Sequence, residues 1–155
     1  MKKINLLLLI ISFLFFTGCG NNVKSKEIKS IDNFNQVAIN NGFQVKDNKE
    51  SYIEQDYIIK ASIATYGTDI TIEMIEYDNI ENTIKVQDGQ IDSFVLLKST
   101  GASEKNIKGD NYRKHYLISN NHYMVSSRVE NTLIFCKTLL INKDKVDAIL
   151  DELGY

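Results

Sequence analysis

Apolar residues recur at helical spacing in three segments of the chain. The first follows Ser30, a residue type that often caps the start of a helix, and ends at Gly42, which can adopt the left-handed conformation that closes one. The second begins at Asp78, with Glu81 three residues later as in a capping box, and the third follows Asn142. These stripes predict three helices, the second of which, interrupted at Asp88-Gly89, is either one kinked helix or two short ones. The stripes consist of Ile31, Phe34, Val37 and Ala38, then Ile80, Ile84, the polar Gln87, Ile91, Phe94 and Val95, and finally Val146, Ile149, Leu150 and Leu153.

Between the first two helices the pattern changes to alternation, which is typical of strands. Over residues 53–74, apolar side chains occupy odd positions before Gly67-Thr68 and even positions after it. A two-residue turn at that point pairs Ile63 with Ile72, so that apolar side chains lie opposite each other. The pattern therefore predicts a first β-hairpin with this register.

A second hairpin is predicted over residues 112–129, because Asn120-Asn121 suits a tight turn with positive φ. The polar residues 99–111 before it are expected to form an exposed loop, and residues 133–141, apolar on both faces, a buried strand. The order α-ββ-α-βββ-α predicts an α+β domain. Its antiparallel sheet is expected to be built from the two hairpins, with the helices packed on one face.

The amino-terminal residues follow a different pattern. Met1-Lys2-Lys3 is positively charged, and the apolar run from Ile4 to Phe16 is shorter than the roughly 20 residues of a membrane-spanning helix. The run ends in Phe16-Thr17-Gly18-Cys19, which resembles the lipobox of bacterial lipoprotein precursors. The resemblance implies that residues 1–18 are a signal peptide. It also implies that Cys19 becomes the lipidated first residue of the mature protein.

This division gives the chain three parts. Residues 19–29 contain the cysteine and a polar stretch expected to be a flexible tether, and residues 30–155 are expected to form a single domain. The protein is then expected on the extracytoplasmic face of the cell membrane, which it contacts through the lipid anchor.

Composition limits the chemistry of that domain. A formal net charge of −2 argues against a nucleic-acid partner. Only two cysteines are present, and with Cys19 lipidated we expect Cys136 to be a buried, unreactive thiol. His115 and His122 are expected to lie at the surface, too far apart on the hairpin to share an ion. We therefore predict no metal and no cofactor.

The second hairpin also carries the candidate binding face of the sequence. Arginine and methionine are enriched at protein interfaces, so this face is expected to dock an envelope protein if no helix covers it. Partial burial by the long loop is the open alternative. The residues of this predicted face are Arg113, His115, Leu117, His122, Met124 and Arg128.

Arrangements for catalysis are weak. Ser126 pairs with His115 in the predicted register but lies in mid-strand without a Gly-x-Ser-x-Gly elbow. The acidic residues around Glu73 and Asp78 lack a calcium-binding loop. The sequence predicts a non-enzymatic binding or accessory module of the cell envelope. A small-molecule carrier, or an envelope enzyme with a pocket between helix and sheet, is the alternative.

Overall fold

The computed structural model describes residues 25–155, so the predicted signal peptide and Cys19 lie outside the described residues. The fold is α+β, as predicted, and residues 25–155 form three helices and one antiparallel sheet of seven strands. In chain order the elements are α1 (Ile31–Asn40), β1 (Gln44–Asp47), β2 (Ile58–Tyr66), β3 (Ile70–Tyr77), α2 (Ile80–Val95), β4 (Ser103–Lys108), β5 (Tyr112–Ser119), β6 (His122–Val129), β7 (Thr132–Leu139) and α3 (Lys143–Leu153). Short 3₁₀ turns at Lys49–Tyr52 and Leu140–Asn142 complete them.

The sheet contains two strands more than the predicted order allows. Its strand order is β1-β2-β3-β7-β6-β5-β4, and every neighbouring pair is antiparallel. The edge strand β4 lies where an exposed loop was expected. Its side chains are almost all exposed, and a polar edge strand of this kind lacks the apolar alternation by which strands are recognised.

The predicted register of the first hairpin is wrong by one residue. Ile63 pairs with Glu73, and Ile72 pairs with Ala64, because the turn has three residues rather than two. Gly67 in this turn has a φ of +58°. Both faces of the sheet are covered at this point. A one-residue change in the pairing of β2 with β3 therefore moves each side chain from one covered face to the other and does not expose the core.

The predicted register of the second hairpin is confirmed. Tyr112 pairs with Val129 and His115 pairs with Ser126. Asn120 and Asn121 have φ values of +50° and +59°, as a type I′ turn requires.

Helices cover both faces of the sheet, which corrects the predicted packing on one face. Helices α1 and α3 share one core with the first face of the sheet, in which the largest fully buried side chains are Phe34, Ile70, Ile72, Met74, Tyr123, Ile134, Ile149 and Leu150. Helix α2 packs on the opposite face, where Val86 contacts one apolar cluster and Phe94 another. The central strands are apolar or small on both faces, which is what a sheet covered on two sides needs.

The helix ends follow the predicted chemistry with one correction. Ser30 and Asn33 form a capping box at α1, and Gly154 closes α3 with a φ of +81°. Helix α2 begins one residue later than expected, because the Asn79 side chain, not that of Asp78, accepts the hydrogen bond from the Asn82 backbone at 2.9 Å.

The first residues that the structure describes are bound to the domain at one end of the sheet. The backbone of Lys26 donates to and accepts from the side chain of Asn111, at 2.9 and 2.8 Å. This end, at the start of β5 and the end of β6, is called the tether end below. None of the helices in residues 25–155 is both long and apolar enough to cross a membrane.

Candidate functional site

The predicted binding face on the second hairpin is largely covered by α2. Leu117, Met124 and His115 are at most 1% exposed, and Phe94 of the helix packs against the first two. The expectation of an exposed face is therefore wrong for its centre. Its two ends line cavities that open to the surface, Arg113 and Arg128 at the tether end and His122 at the other, where Met124 also reaches the cavity.

His115 is a buried residue rather than a surface one. Its Nε2 lies 2.8 Å from Oε1 of Glu104 on β4, and its ring stacks on Phe94 with 6.4 Å between centroids. Its Nδ1 is buried without a hydrogen-bond partner among residues 25–155. The hydrogen bond to Glu104, which also pairs with Lys98 at 2.7 Å, holds the pKa of this carboxyl group below its usual value.

His122 lies away from His115, beside the turn of the hairpin. Its Nδ1 is 2.8 Å from the backbone oxygen of Asn120. The structure does not bring the two histidines together. Within the part of the chain that the structure describes, no three His, Cys, Asp or Glu side chains are grouped so that they could hold a metal ion.

The residues considered for catalysis are occupied by structural contacts. The hydroxyl of Ser126 donates to Oε1 of Gln90 at 2.9 Å, while the ring of its cross-strand partner His115 contacts Glu104 instead. Glu73 is buried and accepts hydrogen bonds from Asn48 at 2.6 Å and from the hydroxyl of Tyr52 at 2.8 Å. Glu73 is therefore not part of a solvated acidic cluster with Asp78.

Cys136 is buried in the core beneath α1 and α3, as predicted from its strand. Burial raises the pKa of its thiol to about 12. Its slow reaction with thiol reagents stays a prediction.

A cleft of about 290 Å³ lies at the tether end of the predicted face. One wall is α2, the floor is formed by β5 and β6, and the other wall is the turn between β4 and β5. We call it the arginine cleft. Its lining residues are Ile84, Gln87, Asp88, Lys108, Gly109, Tyr112, Arg113 and Arg128.

Gln87 fixes the position of α2 over the cleft. It is 1% exposed, and its amide nitrogen donates to the backbone oxygen of Arg113 at 2.9 Å and to that of Ser126 at 3.4 Å. Its Oε1 accepts from Nε of Arg128 at 3.3 Å. One side chain thus connects the helix, two strands and the arginine.

Arg128 lies at the floor of the cleft and is 9% exposed. Besides Gln87, its Nη1 donates to the backbone oxygen of Glu130 at 3.2 Å. None of the carboxylates in residues 25–155 lies within 4.0 Å of its guanidinium nitrogens. Burial lowers the pKa of Arg128, but an arginine stays charged near neutral pH.

Three cations lie in one line across the sheet beside this cleft. Lys108 pairs with Arg113 across β4 and β5, and Arg113 pairs with Arg128 across β5 and β6. Of these three cations, Arg113 alone has a carboxylate partner among the described residues, which is Asp88 at 2.5 Å. Directly opposed like charges destabilise a sheet, so this line favours an anion.

The turn that closes the cleft depends on a glycine. A Cβ added to Gly109 would lie 2.0 Å from the ring of Tyr112. The ammonium of Lys26 lies 4.6 Å from the centroid of the same ring. Tyr112 therefore borders the cleft and also contacts Lys26, near the point at which the described residues begin.

A second cavity, of about 320 Å³, lies between α1 and β2. Its charged lining residues are Asp32, Asp47, Lys49 and Lys60. Two positive and two negative side chains balance one another, and this cavity favours no ligand charge.

The sequence pointed to Arg113 and Arg128 but not to the residues that complete the cleft. Gln87 was recognised only as a member of a helical stripe, although a polar residue in an otherwise apolar stripe signals a buried hydrogen-bonding role. The sequence does not mark Asp88 and Lys108 as residues of a site, because charged residues at exposed positions are common in all proteins.

Comparison with known proteins supports the fold alone. Neither a family model nor any curated protein sequence matches the chain. Among solved structures, the chain is similar to a GTP-binding regulator from Thermotoga maritima, with a TM-score of 0.51 and 16% sequence identity. The match covers 82% of this chain and 89% of that one. At this identity the likeness is evidence of a common architecture alone.

Proposed function

We propose that this protein is a lipid-anchored binding module on the extracytoplasmic face of the cell membrane. It has no catalytic role in this proposal and serves the cell envelope by holding a ligand or a partner close to the membrane surface. The observation that carries the binding role is the arginine cleft, where Arg128 is 9% exposed and its guanidinium has no carboxylate within 4.0 Å among residues 25–155.

The support for the anchor is the likeness of Phe16-Thr17-Gly18-Cys19 to a lipobox. Lys26 is fixed to the domain through Asn111, and it is seven positions after Cys19 in the chain. An extended chain of that length spans at most about 25 Å. A lipid on Cys19 would thus keep the tether end of the sheet near the membrane.

The arginine cleft also favours a second candidate function, that of a small-molecule carrier. It lies between α2 and the sheet, where a carrier would need its pocket, and about 290 Å³ is near the lower limit of volumes found for ligand sites. Both candidates share the anchor and differ in whether the ligand leaves the domain.

The anchor is tested by replacing the cysteine. Cells that express the full chain or its Cys19→Ser variant are grown with labelled palmitate and then separated into membrane and soluble fractions. We expect label and membrane retention in the parent chain and no label in the variant, because two acyl chains give stable attachment and the variant lacks the Cys19 thiol that would receive the diacylglycerol. The matched control is Cys136→Ala, which removes the buried thiol and should keep the label. Equal labelling of the Cys19→Ser variant would contradict the proposal.

A further inference from the structure

We propose that the arginine cleft binds an oxyanion, specifically the phosphate group of a ligand, between Arg128, Arg113 and Lys108. This inference rests on the proposed function as a binding module, because it names the ligand chemistry of the same cleft. It does not depend on the lipid anchor.

The first argument is the state of Arg128. A guanidinium has five N–H donors, and two of its nitrogens donate to protein oxygens, of Gln87 and Glu130. A buried charge without a counter-ion is costly. A phosphate in the cleft would accept from the remaining donors in the bidentate geometry that guanidinium groups favour.

The second argument is the register of the cations. Adjacent strands lie about 4.8 Å apart, so side chains that pair across β4, β5 and β6 lie side by side. Lys108, Arg113 and Arg128 bring three positive charges to this line, and Asp88 neutralises one of them. The residues that line the cleft thus keep a charge of +2, which suits a phosphate near neutral pH, while Glu130 acts on Arg128 from outside this lining.

The third argument is that the arrangement is held in place. Gln87 fixes the guanidinium of Arg128 through Nε and itself is tied to the backbone of β5 and β6. Asp88 and Asn106 hold Arg113 from two sides, at 2.5 and 3.2 Å. Donors fixed before binding lose little entropy when the ligand arrives.

The location leaves two sources for the phosphate. The cleft lies at the tether end, where Tyr112 of its lining also contacts Lys26, and this end is within reach of lipid headgroups if the protein is anchored. A free phosphate or phosphorylated solute satisfies the same chemistry. The two sources are separated by experiment.

The test uses the chain from Gly20 to Tyr155, which contains every residue of the three described core clusters. Sodium phosphate is titrated at constant ionic strength against sodium chloride, with backbone and arginine side-chain NMR signals and thermal unfolding as readouts. We expect saturable shifts confined to Gly109, Tyr112, Arg113 and Arg128. The midpoint of unfolding should rise by about 3 °C or more when phosphate is at about ten times its Kd.

Variants assign the effect to the cleft. Lys108→Gln should weaken phosphate binding by about fivefold, the loss expected for one partly exposed charged contact. The matched control is Lys105→Gln, because Lys105 is on the same strand but pairs with Tyr116 and so points to the other face of the sheet. Arg128→Lys keeps the positive charge but loses the forked N–H donors of the guanidinium. This variant should bind phosphate at least about tenfold more weakly than the parent chain. If that buried variant fails to fold, the Lys108 and Lys105 pair still decides the question.

A second arm separates the sources with vesicles. Binding to phosphatidylglycerol vesicles that is lost in Lys108→Gln, with none to phosphatidylcholine vesicles, assigns the site to a lipid phosphate. Saturation by inorganic phosphate without vesicle binding assigns it to a soluble ligand. Absence of saturable shifts at the cleft, or equal loss of binding in Lys108→Gln and Lys105→Gln, would overturn the proposal. Either result leaves the anchoring test at Cys19 unaffected.

Discussion

Oε1 of Glu104 on the edge strand β4 lies 2.8 Å from Nε2 of His115, a residue that is buried beneath α2. The contact joins the outermost strand to the interior of the sheet. It also gives an acidic residue on that strand a fixed partner, which has a measurable effect on stability as the pH falls.

Glu104→Gln is expected to remove an acid-sensitive part of the stability. The pKa of Glu104 is lowered in the folded protein by His115 and Lys98. A lowered folded-state pKa stabilises the protein above the unfolded value of about 4.3, and this contribution is lost as the pH falls through the folded value. The variant should therefore be less stable than the parent by under about 1 kcal/mol at pH 7, and the difference should disappear towards pH 3.

Urea unfolding at pH 7, 5, 4 and 3 measures this difference. The exposed Glu54 is the control, and Glu54→Gln should track the parent chain throughout. A difference between the Glu104 variant and the parent that stays constant down to pH 3 would contradict the assignment.

The two histidines should differ sharply in their effect on folding. His115→Ala removes a buried ring that stacks on Phe94 and should lower the free energy of unfolding by about 2–3 kcal/mol. His122→Ala alters a partly exposed residue beside a turn and should change it by under about 0.5 kcal/mol. The measurement is urea unfolding of each single variant. Equal effects would mean that His115 is not packed as described.

A pair of glycine substitutions should act in opposite directions. In Gly109→Ala the new methyl group would overlap the ring of Tyr112, so that the ring must move, at a cost of about 1–2 kcal/mol. Gly89 lies within α2, and an added methyl group there would meet no atom of the surrounding structure within 4 Å. Gly89→Ala should therefore stabilise the protein by about 0.5–1 kcal/mol, since alanine favours the helix.

Thermal unfolding of both variants checks this pair. Destabilisation by both substitutions would show that α2 is strained at Gly89. Neutrality of Gly109→Ala would show that the Tyr112 ring moves freely, and the cleft wall with it.

Cys136 should react with thiol reagents only when the domain unfolds. Its pKa is raised to about 12 by burial, and the thiolate is the reactive species. In a chain that lacks Cys19, labelling at pH 8 should be slow in buffer and rapid in denaturant. Rapid labelling of the folded protein would contradict the burial of β7.

The sequence identified those elements in which local chemistry decides the structure. Asn120 and Asn121 specify their turn through positive φ, and the register of the second hairpin follows from it. The turn of the first hairpin has no pair of residues that sets its register in this way. Ile63 and Ile72 each face a covered side of the sheet, so hydrophobic alternation could not choose between two registers that both bury apolar groups.

The site was accessible from the sequence only in part. Arg113 and Arg128 stood out as charged residues on a patterned strand, but Gln87 and Lys108 reach them from α2 and β4. The side of the sheet on which α2 packs depends on contacts between distant segments. Helical spacing predicts a buried stripe on α2, and it contains no information about the surface that covers the stripe.

The order of the strands has a consequence for how the chain acquires its structure. Strand β7 lies between β3 and β6 in the middle of the sheet, and its pairing of Phe135 with Glu73 joins residues roughly 60 positions apart. Such long loops slow folding, because the entropy of closure is lost before the contacts form. The two halves of the sheet cannot join until the last strand is available. A chain cut before residue 132 would expose the long apolar edges of β3 and β6, so we expect prematurely ended products to aggregate or be degraded rather than to persist as partial domains.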